Sequence, residues 1–358
     1  MAPPSLPSVL DLTTDELRAK FAGEGITEAY RAEQVHRWIY EKGIYDFDRM
    51  SDLPLAFRTR LKQSLSIGMP SVAGEQMSRD DKSVKLLLRL GAGDLVETVM
   101  MPVEGRRTVC VSSQVGCKFH CAFCASGQAG FFRNLRMGEI VAQVLMARDR
   151  APEKKITNIV FMGIGEPFDN YRELLRSVRT LNSKSAFGIG ARKITISTCG
   201  VVPKIEALAD EGLQIELSVS LHGANDRVRG AIMPVNKAYP VKPLIDACKK
   251  YSQKTKRAIT FEYILVKGVN ASEQDASNLA KLLKGMLCKV NLIPYNPIPE
   301  FPHEPPVYSE IVAFQKTLQK KGVKATVRFS KGQDIQAACG QLRSVHLTGS
   351  PKHASAVQ

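Results

Sequence analysis

The sequence predicts an α/β fold: a partial (β/α)6 barrel of the TIM type with a small N-terminal helical accessory domain. Three observations predict it. From about residue 108 onward, apolar strand-like runs alternate with helical stretches of ten or more residues, the pattern of a parallel sheet with buried strands. Polar clusters follow the ends of those strands. The residues before about 75 carry helix signals without strands. A length of 358 residues suits one large core plus an appendage, and six βα units fall short of the eight that close a full barrel.

Residues 1–8 are rich in Pro and Ser and are expected to be loose, and 9–75 to form the helical domain. Its first helix opens with Thr13 and Glu16 at capping-box spacing, ahead of the apolar Leu17 and Phe21. The second covers about 32–42, with Val35, Trp38 and Ile39 on one face and Gly43 as its stop. The third follows Ser51 and Asp52 and runs through Leu55, Phe57 and Leu61. Arg31, Arg37, Arg58, Arg60 and Lys62 are left to face outward.

The barrel is expected over 80–343. VKLLLRL (84–90) and DLVETVMMP (94–102) read as a leading β-hairpin around Gly91 and Gly93. Strands follow at 108–113, 158–163, 193–198, 215–221, 259–266 and 289–294, with a last one at 324–329. Helices fall at 137–149, 171–182, 241–253, 273–285 and 308–321, and 344–358 reads as a flexible tail.

Polar residues punctuate the strand ends. Cys117, Cys121 and Cys124 come after the first strand, Gly165-Glu166-Pro167 after the second, and Ser197 to Gly200 surround the end of the third. Ser220 and His222 mark the fourth, and Asn296 follows the sixth. Parallel βα barrels build their active sites at the carboxyl ends of strands, so these clusters are expected to converge on one pocket.

Lys and Arg number 50 against 35 Asp and Glu, a net charge of +15. An enzyme of small metabolites has no need of that excess, whereas a protein that docks on a phosphodiester backbone does; the alternative is a solvated basic surface, and the spread of basic residues along the chain locates no binding face. No apolar run approaches membrane-spanning length, and the opening MAPPSLPSVLDLTTDEL lacks the basic and apolar regions of a secretion signal. A cytoplasmic protein without membrane contact is expected, monomeric by default.

Three of the eight cysteines crowd into eight residues, as Cys117-x3-Cys121-x2-Cys124. In a reducing compartment such thiols are core residues, metal ligands or catalysts. A [4Fe–4S] cluster offers four irons, so three cysteines leave one iron open. An open iron can chelate the amino and carboxylate groups of S-adenosylmethionine (SAM) and pass an electron into its sulfonium, which releases a deoxyadenosyl radical. A zinc site completed by His120 or a distant residue is the alternative, but closed zinc sites usually come as two cysteine pairs and this sequence has no second pair. Phe123 suits packing beside the cofactor's adenine, and equally a place in the core.

The spacing matches the radical SAM signature. Around it stand, in order, VETVMMP, VCVSSQVGCKFHCAFC, GFFRNL, MGIGEP, SVSLHGANDRVRG, NLIPYNP and DIQAACGQL. Together these make the chain similar to the RlmN/Cfr family of radical SAM RNA methyltransferases, from about residue 10 to 343. The resemblance implies methylation of an adenine carbon in RNA, C2 on the RlmN side and C8 on the Cfr side. Gly127 is a Cfr-like detail, while GFFRNL favours RlmN, so C2 is expected. The implied substrates are protein-free 23S rRNA, at an adenosine of the peptidyl-transferase centre, and tRNA, at the purine beside the anticodon. A flavodoxin-like one-electron donor is implied as a further partner. The helical domain corresponds to the family's RNA-binding accessory domain.

C2 of adenine is electron-poor and cannot attack the methyl group of SAM directly, and the resemblance implies a route that uses two SAM molecules per turnover. Cys339, in AACGQL, matches the cysteine that is methylated. Cys110 matches the one that closes a transient disulfide with it and frees the product. Glu97 matches the proton acceptor. Gly165 and Glu166 match contacts to the methionine end of SAM, and Ser197, Ser220, Leu221, His222 and Asn296 match further cofactor contacts. Cys199, Cys248 and Cys288 read as core thiols. The rival readings are a radical SAM enzyme of a small molecule or peptide and a non-catalytic Fe–S RNA-binding protein; only an enzyme cleaves SAM.

Overall fold

The computed structural model describes residues 6–343 except 92, 152 and 154. The expected tail at 344–358, and residues 1–5 of the expected loose start, lie outside these. Pro7 and Ser8 are pinned: Ser66 N donates to Pro7 O at 3.0 Å, and Ser8 forms a parallel bridge with Ser66.

Helix α1 (Thr14–Gly23) opens with the expected capping box. Glu16 N donates to Thr13 Oγ1 at 3.2 Å, and Thr13 N donates to Glu16 Oε2 at 2.8 Å. The pair satisfies two N–H groups that a helix start leaves without partners. Next, α2 (Tyr30–His36) continues into a wider π turn over Arg37–Glu41, and α3 (Leu55–Ser64) follows. The helical unit ends sooner than its expected limit at 75. Residues Ser71–Met77 form a strand, β1, on the edge of the main sheet. Almost every β1 side chain is exposed, so no apolar alternation marks it in the sequence.

The antiparallel strands β2 (Val84–Arg89), β3 (Leu95–Val103) and β4 (Arg106–Cys110) extend β1 into a meander. After β4 the chain makes a small ribbon, β5 (Gln114–Gly116) with β6 (Phe131–Asn134), and between the two lies α4 (Ala125–Gln128). The parallel part alternates as expected: α5 (Met137–Arg148), β7 (Asn158–Phe161), α6 (Tyr171–Asn182), β8 (Ile194–Thr198), α7 (Val202–Leu208), β9 (Glu216–Ser220), α8 (Asp226–Ile232), α9 (Val241–Thr255), β10 (Ile259–Leu265), α10 (Glu273–Leu283), β11 (Cys288–Pro294), α11 (Tyr308–Lys320) and β12 (Ala325–Val327). The sheet order is β1-β2-β3-β4-β7-β8-β9-β10-β11-β12. Every residue of β10 is buried, as a parallel strand covered on both faces requires. The unforeseen α7 and α8 are seven residues each, too short to repeat an apolar stripe.

The edge strands β1 and β12 do not pair with each other, yet the segment after β12 bridges them. Gly332 N donates to Asp81 Oδ2 at 2.8 Å, and Arg79 N donates to Asp334 Oδ2 at 2.9 Å. The sheet therefore curls into a partial barrel whose gap is closed by the loop that carries Cys339. Outside it, the helical domain shares one core with α5: Leu17, Phe21, Val35 and Ile39 pack with Met137, Val141, Ala142 and Leu145. Each of the larger side chains, Ala142 excepted, contributes roughly 1.5–3 kcal/mol by burial. Arg148 crosses this seam, donating to the Tyr40 carbonyl and, at 2.9 Å, to Tyr45 Oη.

Candidate active site

The three clustered cysteines sit on the loop that the β5–β6 ribbon projects. Gly116 makes the ribbon possible: at φ +75°, an added Cβ would lie 1.8 Å from Gly130 O. Cys117 N then donates to Gly130 O at 2.8 Å and closes the neck of the loop. Phe119, Cys121, Ala122 and Phe123 pack against an apolar cluster built by Ile232, Met233, Ile264 and Tyr295. Burial, first, and then the other cysteines' charges push the Cys121 thiol well above its ordinary value, and burial raises Cys117 to about 12. Thiols in such a place favour a bound cation over free thiolates.

The donor set fits an iron–sulfur cluster better than zinc. His120, the alternative fourth zinc ligand, donates Nδ1–H to Gly127 O at 2.9 Å. Among the described residues, no three His, Cys, Asp or Glu side chains converge as ligands of a single metal ion. Three thiols from one loop that sense each other's charge without converging suit the corners of a cubane.

The residues expected to contact SAM lie at or just beyond the ends of β7, β8, β9 and β11. Gly165 has φ +102°, and a Cβ there would lie 2.5 Å from Gln114 Cβ, so its bareness admits the cluster ribbon. Glu166 is buried, and its carboxylate accepts from Phe168 N at 2.9 Å and Cys199 N at 2.7 Å, tying the end of β7 to that of β8. Burial raises its pKa against the pull of those hydrogen bonds. Ser197 and Ser220 are half-buried at the ends of β8 and β9, and Leu221 is fully buried. His222, at φ +54°, accepts from Ile264 N at its Nδ1 (3.0 Å), and its carbonyl accepts from Asn270 Nδ2 at 2.8 Å. Burial and then the charge of Arg229 lower its pKa to about 3, so the ring is neutral. Phe123 stands edge-on to that ring with centroids 4.7 Å apart.

Two residues of this shell escape a reading by motif alone. Arg229 is fully buried, donating to Asn236 Oδ1 at 3.0 Å and Cys199 O at 2.6 Å, and its charge favours the Cys121 thiolate. Asn270 holds the strained His222 backbone. Arg229 lies in the SVSLHGANDRVRG motif, and no local pattern singles it out, because α8 is too short to show an apolar stripe.

The loop after β12 brings Cys339 to the cluster ribbon. Ala125 N, one residue past Cys124, donates to Gly340 O at 2.7 Å, and Ser126 Oγ donates to Leu342 O at 2.7 Å. Asn296 donates Nδ2–H to Cys339 O at 3.1 Å and to Ser330 Oγ at 2.8 Å, while its Oδ1 accepts from Gln333 Nε2 at 2.9 Å. In this structure it therefore holds the cysteine loop. Cys339 is accessible to solvent yet enclosed by protein groups. Burial raises its thiol, the charge of Arg328 pulls it back, and the Glu262 carboxylate pushes it up again.

Cys110, at the end of β4, is buried in one apolar cluster with Val99, Ile164, Ala337 and Leu342. Burial and the neighbouring Cys339 push its thiol far above the ordinary range. All eight cysteines are free thiols. Glu97, on β3, is ion-paired through Oε1 with Lys85 Nζ at 3.0 Å, and Oε2 accepts from Arg343 N at 2.7 Å. Cross-strand pairs share a face, so the Val99–Cys110 and Leu87–Glu97 pairings put Glu97 and Cys110 on one side of the sheet. The other three cysteines differ: Cys248 is buried in the main core, Cys288 is half-buried against it, and Cys199 packs with the cluster loop.

A parallel βα barrel that presents a Cx3Cx2C ribbon at the carboxyl end of its first parallel strand defines a radical SAM enzyme. Residues 111–280 match the Radical SAM superfamily, and residues 8–67 match the Ribosomal RNA large subunit methyltransferase N-terminal domain. The chain is 45% identical over 345 residues to the probable dual-specificity RNA methyltransferase RlmN of Clostridium tetani, covering 96% of this chain and 98% of that protein. It is 44% identical to the same-named protein of Geobacillus kaustophilus, over 95% of this chain and 93% of that one. The crystal structure of a radical SAM methyltransferase from Sphaerobacter thermophilus aligns with a TM-score of 0.91 and 46% identity, over 94% of this chain and 99% of that one. The chain belongs to the RlmN family of dual-specificity RNA methyltransferases, which work with a [4Fe–4S] cluster and SAM. Among the described residues no helix is long and apolar enough to cross a membrane.

Proposed function

We propose that the protein methylates C2 of adenine in 23S rRNA and in tRNA, with Cys339 carrying the methyl group and Cys110 freeing the product. The observation that carries this reading is the pair of attachments on the Cys339 loop. One side is bonded to the residues that follow Cys124, and the other packs on Cys110. A core thiol has no need of either.

Cys117, Cys121 and Cys124 would hold the cluster, and Ser197, Ser220, Leu221, His222, Gly165 and Glu166 would surround SAM. Bound there, the two supply a methyl group and the radical that activates it. The chain's own residues do the rest. Displacement at a methyl group needs a thiolate, and Arg328 favours the thiolate of Cys339 against its burial. Glu97, fixed by Lys85 and Arg343 N, accepts the C2 proton. The Cys110 thiolate attacks the Cys339 sulfur, the S–S bond forms, the bond from that sulfur to the substrate carbon breaks, and the released carbon, its electron pair spread into the adenine ring, takes up a proton to complete the methyl group. Two electrons, delivered one at a time by an external donor of flavodoxin type, reduce the disulfide with two protons and restore both thiols, and the protein acts as a monomer in the cytoplasm.

Replacing Cys110 by Ala tests the pairing. The expected product is RNA covalently attached to Cys339, visible as a denaturant-resistant complex whose peptide map ends at that residue. Free methylated RNA at wild-type turnover in this variant would remove Cys110 from the reaction.

A further inference from the structure

Two aromatic rings stand in solvent at the carboxyl-end rim. Tyr308 is 68% exposed and Phe329 is 59% exposed, their centroids are 6.4 Å apart, and their planes are inclined by 22°. Topology sets them there. Phe329 lies two residues beyond β12, and Tyr308 opens α11, which follows the rim loop after β11. Val307, also exposed, widens the apolar surface. The patch is tied to the Cys339 loop: Ser330, next to Phe329, shares the Asn296 amide with the main-chain carbonyl of Cys339. Cations flank it, with Arg328 about half exposed before Phe329 and Lys331 exposed after Ser330.

We propose that Tyr308 and Phe329 form a stacking platform for an unpaired nucleobase of the RNA substrate, next in sequence to the base that enters the barrel. The proposal rests on the RNA methyltransferase reading above. A base that is to be modified must leave its stack, and its neighbour loses a stacking partner in the same event. An exposed pair of nearly parallel rings replaces that partner, and the adjoining phosphates meet Arg328 and Lys331. Stacking of this kind accepts any base, so the platform serves rRNA and tRNA alike.

The test uses the cluster-loaded full chain and an RNA fragment with 2-aminopurine beside the target adenosine. Wild-type protein should quench the fluorescent base on binding. The double variant Tyr308→Ala with Phe329→Ala should lose the quench and raise KM for the RNA roughly tenfold or more, whereas Phe329→Trp should keep both. A wild-type Kd for SAM in the variants shows that the barrel is intact. Undiminished quenching and an unchanged KM in the double variant would overturn the proposal. So would slower reduction by a protein electron donor at unchanged RNA affinity, which would make the patch a protein-docking surface. Methyladenosine formation by the wild-type protein is measured first, so a failure of the underlying reading appears before any variant is compared.

Discussion

Asn296 joins Cys339 to the barrel: its side-chain amide donates to the Cys339 carbonyl at 3.1 Å from a buried position at the end of β11. The same amide group holds Ser330 and Gln333, so one side chain fixes three points of the loop that closes the barrel gap. Sequence resemblance alone assigns this residue to SAM, and the two roles make different predictions.

Asn296→Ala should slow S-methylation of Cys339 at least tenfold, because a loop freed from three hydrogen bonds loses its attack geometry. Peptide mass spectrometry after incubation with SAM reads the methyl group directly. If SAM affinity falls while S-methylation at saturating SAM stays at the wild-type rate, Asn296 serves the cofactor and not the loop.

Glu97→Gln should retain the contact with Arg343 N but lose the charge that pairs with Lys85. The expected result is accumulation of the Cys339–RNA adduct, since the C2 proton has no acceptor. Lys85→Met should act more mildly, leaving the carboxylate but loosening it. Gel analysis of denatured reaction mixtures distinguishes them, and a freely turning over Glu97→Gln protein would contradict the assignment.

Gly165→Ala places a Cβ 2.5 Å from Gln114 Cβ in a left-handed conformation. Gln114 holds Glu166 N at 2.8 Å and Asn134 at 2.8 Å, so the clash spreads into the cluster ribbon. A loss of roughly 2 kcal/mol or more in stability is expected, together with less iron per chain after anaerobic reconstitution. Wild-type iron content and stability would show that the ribbon has room to move.

His36 makes the helical domain acid-sensitive. Burial lowers its pKa from 6.5 to about 4, so between these values the unfolded chain binds a proton that the folded chain refuses. Its contribution is complete above pH 6.5 and is lost as pH falls towards about 4, roughly 3 kcal/mol in all. Trp38, the single tryptophan, lies beside it in the same domain and reports unfolding by fluorescence. Subtracting the urea stability of His36→Gln from that of the wild type should isolate a pH-dependent difference of this sign. A flat difference from pH 4 to 7 would contradict it.

The sequence was most legible where one physical pattern acts alone. Parallel strands such as β10 are apolar throughout, and the capping box at Thr13 and Glu16 satisfies itself within four residues. The clusters at strand ends converge because barrel topology forces them together. Three things were not legible. β1 exposes nearly all its side chains, so its pairing with β2 has no signature in its own residues. The closing loop is held by contacts between residues some 250 positions apart, such as Gly332 with Asp81. The hydrogen bond from Cys199 N to the Glu166 carboxylate depends on two strand ends meeting, which no local pattern encodes.

The most direct test of the account is mass spectrometry of nucleosides from RNA treated with the anaerobically reconstituted protein, SAM and a reductant. Protein-free 23S rRNA fragments and bulk tRNA should both yield 2-methyladenosine. 8-Methyladenosine, or cleaved SAM with no methyladenosine in either RNA, would contradict it.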